Sequence, residues 1–99
     1  MSEGTYNLRS NTQLTFHSLK VGAAAIVSED FVDARGATRH APRAGLWIYY
    51  REDSDQDRAV RVHAGESLTV ADYKIDVLEI TAEPPGIVKL RVSEMVSAA

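Results

Sequence analysis

Short runs in which apolar and polar residues alternate, each ended by turn-forming residues, recur along most of the chain. In TQLTF, Leu14 and Phe16 fall on one face of a strand, because successive side chains point to opposite sides. The stretch GLWIYYR repeats the pattern with Leu46, Ile48 and Tyr50. Many short runs of this kind predict an all-β fold, either an antiparallel β-sandwich or a partly open barrel of about seven to nine strands.

The 99 residues suffice for one hydrophobic core, so we predict a single β domain over residues 1–99, with flexible ends at 1–4 and 94–99. One segment, from Val21 to Phe31, permits a second interpretation. Its three consecutive alanines favour a helix, although Ile26 and Val27 suit a strand equally well.

Composition excludes several functional classes. The chain contains no cysteine, which rules out disulfides, thiolate zinc sites and a cysteine nucleophile. Its N-terminus lacks the pattern of a signal peptide, and no apolar run approaches the roughly 20 residues that span a bilayer. We therefore expect a soluble, cytoplasmic protein with no membrane partner. The net charge of −3 also disfavours nucleic acid as a partner.

Positive charge is concentrated in ARGATRHAPRAG, residues 34–45, which holds Arg35, Arg39 and Arg43 and no acidic residue. Its glycines, proline and small residues predict a loop. A loop of about twelve residues is long for a compact domain, and such loops are usually functional or disordered. The three arginines are therefore candidates for binding an anionic ligand, and a solvated connection is the structural alternative.

Two alternating runs flank the acidic segment EDSDQD, and together they predict a β-hairpin over residues 46–65 with a solvated turn. A register that keeps the apolar faces together sets Ile48 opposite Val62. The opposite face of the hairpin then carries Trp47, Tyr49, Arg61 and His63.

This opposite face is our candidate partner-binding site, with Trp47 opposite His63 and Tyr49 opposite Arg61. Trp, Tyr and Arg are the residue types that dominate protein interfaces. The alternative is a strand buried on both faces, in which Trp47 fills the core. If the face is exposed, Arg61→Glu should disrupt partner binding with little loss of stability.

Two further hairpins are expected in the C-terminal half. A tight turn is predicted at residues 71–72, and the break in alternation at residues 77–78 predicts a β-bulge. Beyond the bulge, Leu78 is expected to point into the core. The prolines of EPPG predict the next turn, with Glu79 opposite Arg91 in the hairpin that it closes.

Neither a metal site nor a catalytic site is indicated. Asp53, Asp55 and Asp57 alternate as calcium ligands do, but the glycine and glutamate of a calcium loop are missing. The three histidines show no zinc-binding spacing, and no nucleophile or phosphate-loop motif is present. We therefore expect no catalysis, no metal and no cofactor.

The leading hypothesis is a non-catalytic interaction module, such as an accessory, inhibitor or immunity-type protein, that presents a β-sheet face to another protein. A second copy of the chain is an alternative partner. The other functional class is a small domain that binds an anionic ligand through the arginines of residues 34–45. Ionic strength separates the two hypotheses, because salt weakens arginine–anion contacts more than apolar ones.

Overall fold

Two antiparallel sheets of four strands face each other in the computed structural model, which describes residues 3–94. The strands are β1 (Glu3–Arg9), β2 (Thr12–Phe16), β3 (Leu19–Val32), β4 (Thr38–Tyr50), β5 (Arg58–His63), β6 (Ser67–Val70), β7 (Tyr73–Thr81) and β8 (Ile87–Glu94). One sheet has the order β1-β8-β7-β6 and the other the order β2-β3-β4-β5. The predicted all-β sandwich is confirmed.

The core lies between the sheets and is built by the alternation read from the sequence. Leu46 and Ile48 of β4 belong to the same core cluster as Ile75 and Leu90 of the other sheet, and all four side chains are fully buried. Alternation works here because each strand has one face against the other sheet and one face away from it. Of the ends predicted to be flexible, residues 3, 4 and 94 belong to paired strands, and the rest lie outside the described residues.

The segment from Val21 to Phe31, which also suited a helix, is part of the 14-residue strand β3. Its pairing with β4 shifts between Ala24 and Val27, where Ala25 takes a positive φ of 52°. This β-bulge bends the hairpin, and beyond Arg43, which still pairs with His63 of β5, β3 and β4 pair only with each other. Residues 27–42 therefore form a two-stranded extension of the sheet, which we call the arm.

The prediction of a long loop over residues 34–45 is wrong, because residues 38–45 belong to β4 and only residues 33–37 form a turn. The carboxylate of Asp33 accepts hydrogen bonds from the backbone amides of Arg35 and Ala37, at 2.9 and 3.0 Å. Gly36 supplies a positive φ of 81° within the same turn. These local bonds close the turn within five residues and leave the rest of the segment free to pair with β3.

The hairpin predicted over residues 46–65 is confirmed, but its register is wrong. Trp47 lies opposite Ala59, and Val62 lies opposite Ala44, so the pairing differs by four residues from the expected one. A shift by an even number leaves every side chain on its own face, so alternation cannot distinguish the two registers. The turn fixes the choice, since the Asp57 carboxylate accepts a hydrogen bond of 2.9 Å from the Tyr50 amide.

In the other two hairpins the turns were predicted correctly, but part of the pairing was not. The turn at residues 71–72 and the bulge at residues 77–78 are confirmed. Leu78, however, is 39% exposed, because the bulge turns it outward and lets Val77 pair with Leu90. Arg91 consequently lies opposite Asp76, and the expected pairing with Glu79 is wrong.

Candidate functional site

Trp47 and Tyr49 lie on the outer face of the β2-β3-β4-β5 sheet, with 43% and 49% of their surfaces exposed. The alternative in which Trp47 fills the core is therefore wrong. Gly22 lies directly opposite Trp47 on β3, and the indole packs beside it, since a Cβ at Gly22 would be in ordinary van der Waals contact with Trp47 Cε3 at 3.6 Å. Tyr49 lies opposite Lys20, which is also on β3.

Two shallow depressions adjoin these rings on the β2 side. The first, of about 490 Å³, is lined by residues that include Gln13, Thr15, Lys20, Tyr49 and Arg51. The second, of about 290 Å³, is lined by residues that include Thr12, Gln13, Gly22 and Trp47. Together, Gln13, Lys20, Gly22, Trp47 and Tyr49 form what we call the aromatic face. It combines two rigid rings with an amide and an ammonium group, so it offers both apolar contact area and hydrogen-bond donors.

Arg61, predicted to lie opposite Tyr49, stays on the same outer side of the sheet, but the observed register moves it four residues along β4. It lies opposite Gly45, and its Nη1 donates a hydrogen bond of 2.8 Å to the backbone carbonyl of Ala25 in the bulge. Its Nη2 forms an ion pair with the carboxylate of Glu29. The Arg61 side chain is therefore 33% exposed and engaged with its own sheet.

His63 lies further along β5, opposite Arg43. Its ring stacks on Phe31 with 4.8 Å between the centroids and 28° between the planes. Its Nε2 is 3.3 Å from a carboxylate oxygen of Glu66, and 17% of the side chain is exposed. The four residues predicted as one recognition patch thus divide into two places, Trp47 with Tyr49 and Arg61 with His63.

The structure brings His63 together with the three arginines assigned to a separate site. An open cleft of about 940 Å³ lies between the end of the arm and the turn that joins β5 to β6. Its lining includes Phe31, Arg35, Arg39, Arg43, His63 and Glu66. Arg39 and Arg43 share one face of β4 because they are four residues apart in a strand, a spacing that carries no such meaning in a loop.

Phe31, Asp33 and Glu66 are among the cleft residues that sequence reasoning missed. Phe31 is only 8% exposed although it lies on the outer face, because the cationic side chains of Arg39 and Arg43 cover it together with His63. A signal was available in Glu29, Phe31 and Val27, which alternate as strand residues do. This alternation was hard to recognise because no second sheet covers the arm, so neither of its faces has to be apolar.

The acidic triplet has a structural role in its turn. A carboxylate oxygen of Asp53 accepts a hydrogen bond of 3.0 Å from the Asp55 amide, and Asp57 binds the Tyr50 amide. Within residues 3–94, no group of three or more His, Cys, Asp or Glu side chains is placed to hold a metal ion. The triplet therefore closes the turn through backbone amides.

Comparison with known proteins gives no relative: no family model matches the chain, and neither a curated protein nor a solved structure does. No helix within the described residues is long and apolar enough to cross a membrane.

Proposed function

We propose that the protein is a non-catalytic interaction module that binds another protein through the aromatic face. The observation that carries the proposal is the joint exposure of Trp47 and Tyr49 on the outer side of a four-stranded sheet. The other large apolar side chains exposed in the described residues are Val27, Val32 and Leu78, and none of them is aromatic. Two adjacent rings provide the buried anchor that a typical interface needs.

The surroundings of the rings indicate the chemistry of the partner. Lys20 lies beside Tyr49, and Arg51 follows one residue after the end of β4. The rim of the aromatic face is therefore cationic, although the whole chain carries a net charge of −3. A partner with an apolar pocket and an acidic rim would complement it.

Affinity capture with matched variants tests this proposal. The wild-type protein and Trp47→Ser and Tyr49→Ser variants would serve as bait in a lysate of the native host, with Leu78→Ser as the control. Leu78 is a large exposed side chain on the opposite sheet, so its loss removes similar apolar area elsewhere. We expect one specific partner to be retained by wild type and Leu78→Ser and lost from both aromatic variants.

Self-association is tested by sedimentation of the same four proteins. A wild-type dimer that dissociates in Trp47→Ser but not in Leu78→Ser would identify a second copy as the partner. If the aromatic variants retain every partner and every oligomer of the wild type, the aromatic face is not the binding surface.

A further inference from the structure

The cleft at the end of the arm has a composition unlike the rest of the chain. Four arginines, Arg35, Arg39, Arg43 and Arg61, lie in or beside it, whereas the protein as a whole is acidic. Concentrating cations in a concave site costs electrostatic repulsion, which a bound anion relieves. The arrangement therefore indicates a ligand of negative charge, provided that the carboxylates nearby do not already neutralise the arginines.

The nearby carboxylates are committed to other partners. Glu29 is shared between Arg61 and Arg43, whose Nη1 is 3.3 Å from it. Glu66 lies 3.3 Å from His63, and the Asp33 carboxylate accepts two backbone amides of its turn. Among the described residues, Arg35 and Arg39 form no salt bridge. Two guanidinium groups of the cleft thus have no carboxylate from residues 3–94 within salt-bridge distance, although Asp33 and Glu66 also line the cleft and keep their charge.

A second observation concerns the side chain of Arg43. Its guanidinium lies 4.5 Å from the centroid of Phe31, and its Nη2 donates to the backbone carbonyl of Arg61 at 3.4 Å. Its Nε is buried and has no hydrogen-bond partner within residues 3–94. A buried donor without an acceptor is unfavourable, and Nε would gain an acceptor if the Arg43 side chain turned toward an oxyanion held in the cleft.

Phe31 holds the cations in place. The guanidinium carbon of Arg39 is 5.7 Å from the ring centroid, and the ring of His63 stacks at 4.8 Å. Cation–π contacts of this kind reduce the freedom of long side chains, so less entropy is lost when they bind an anion. The cleft volume of about 940 Å³ lies in the range of small-molecule sites.

We propose that this cleft binds a small ligand through a phosphate or carboxylate group, with Arg35, Arg39 and Arg43 as the hydrogen-bond donors. Planar guanidinium groups match the geometry of both oxyanions and bind them in bidentate fashion. The site is separate from the aromatic face and does not depend on the function proposed for it.

The test is a titration of ¹⁵N-labelled protein with pyrophosphate and with citrate, using sodium chloride of equal ionic strength as the reference. We expect saturable shifts of the backbone amides of Phe31, Arg39 and His63 with at least one of the two anions. A preference for pyrophosphate identifies a phosphorylated ligand, and a preference for citrate identifies a carboxylated one. Shifts that do not saturate with either anion overturn the proposal.

Three variants make the test specific. Arg39→Ala and Arg35→Ala should each weaken binding about tenfold, the loss expected for one charge-assisted hydrogen bond. Arg35 lies in the turn, and its side chain forms no hydrogen bond or salt bridge within the described residues, whereas its backbone amide bonds Asp33. Its variant therefore tests the site even if Arg39→Ala disturbs Phe31. Arg58→Ala removes an exposed arginine outside the cleft lining and should leave binding unchanged. An equal loss in Arg58→Ala, or no loss in Arg35→Ala and Arg39→Ala, overturns the assignment.

The proposals for the aromatic face and for the cleft can fail independently, because each is tested with its own variants. Trp47→Ser should leave the anion titration unchanged, and Arg35→Ala should leave partner capture unchanged.

Discussion

The guanidinium of Arg61 donates a hydrogen bond of 2.8 Å to the backbone carbonyl of Ala25. The bond crosses from β5 to the bulge of β3 by passing over Gly45 of β4, where a Cβ would stand 3.5 Å from Arg61 Nη1. The carbonyl of a bulge residue is displaced from the regular ladder, and a side-chain donor can satisfy it instead. Arg61 therefore fixes the point at which the arm leaves the sheet.

Arg61→Glu should accordingly destabilise the protein, which reverses the expectation drawn from sequence. The substitution removes the donor to Ala25 and places a second carboxylate beside Glu29. We expect a loss of about 1.5–3 kcal/mol in the free energy of unfolding, as for other hydrogen bonds to charged groups. Urea denaturation measures it, with Arg58→Glu as the exposed control on the same strand, expected to stay within about 0.5 kcal/mol of wild type.

Arg61→Lys refines this test, because lysine keeps the charge but cannot bond Ala25 and Glu29 in the planar geometry of a guanidinium. Its stability should fall between those of wild type and Arg61→Glu. Equal stability of Arg61→Glu and Arg58→Glu would show that the Ala25 contact contributes nothing.

The two-sheet core could be predicted from sequence because alternation reports burial directly. Leu46 and Ile48 were assigned inward, and both are buried against the opposite sheet. Register could not be predicted in the same way, since pairing Val62 with Ala44 or with Ile48 satisfies the same faces. Turn hydrogen bonds, such as the one from Tyr50 to Asp57, decide between such registers.

The composition of the candidate sites depended on strand register, which the sequence did not provide. Trp47 and Tyr49 were correctly assigned to one face, but Arg61 moved away from them when the register changed by four residues. The ion pair of Arg61 joins residues 32 positions apart in the chain, and it forms only because of the bulge before Val27. No local pattern encodes a contact of that kind. The arm was missed because its strands have no second sheet to require alternating apolar residues.

Truncation at two adjacent positions of β4 should destabilise the protein by different amounts. Trp47→Ala should cost less than Ile48→Ala, because Trp47 is 43% exposed, whereas Ile48 is fully buried and its truncation should cost about 2–5 kcal/mol. Urea denaturation of both variants checks the difference, followed by circular dichroism so that the readout does not need the tryptophan. A larger loss for Trp47→Ala than for Ile48→Ala would place the indole in the core.

Ala71→Gly should stabilise the protein. Ala71 has a φ of 52° in the two-residue turn between Val70 and Tyr73, a conformation that disfavours a Cβ. We expect a gain of about 0.5–1 kcal/mol, because relief of the strain exceeds the added entropy of the unfolded glycine chain. Ala59→Gly is the matched control on a regular, exposed part of β5, where the same change should be destabilising. The thermal midpoints of the two variants should therefore move in opposite directions.

Asp76 should make stability depend on pH in the acid range. The hydroxyl of Ser67 donates to its carboxylate at 2.6 Å, and Arg91 Nη2 lies 3.2 Å from the second oxygen. The Ser67 bond, with Arg91 and Lys74 after it, lowers the pKa of Asp76 against the opposing effect of burial. A carboxyl whose pKa is lower in the folded state stabilises the fold above its unfolded pKa of about 3.9, and this contribution is lost as the pH falls through the folded value.

Asp76→Asn removes that contribution and should be less stable than wild type near pH 7. Because the wild-type carboxyl is protonated in acid, the difference in urea midpoint between the two proteins should shrink between about pH 5 and about pH 3. Asp55→Asn, at an exposed position of the acidic turn, serves as the control and should follow wild type throughout. A difference for Asp76→Asn that stays constant over this range would mean that Asp76 contributes through packing or neutral hydrogen bonds, and that its charge does not stabilise the β7–β8 pairing.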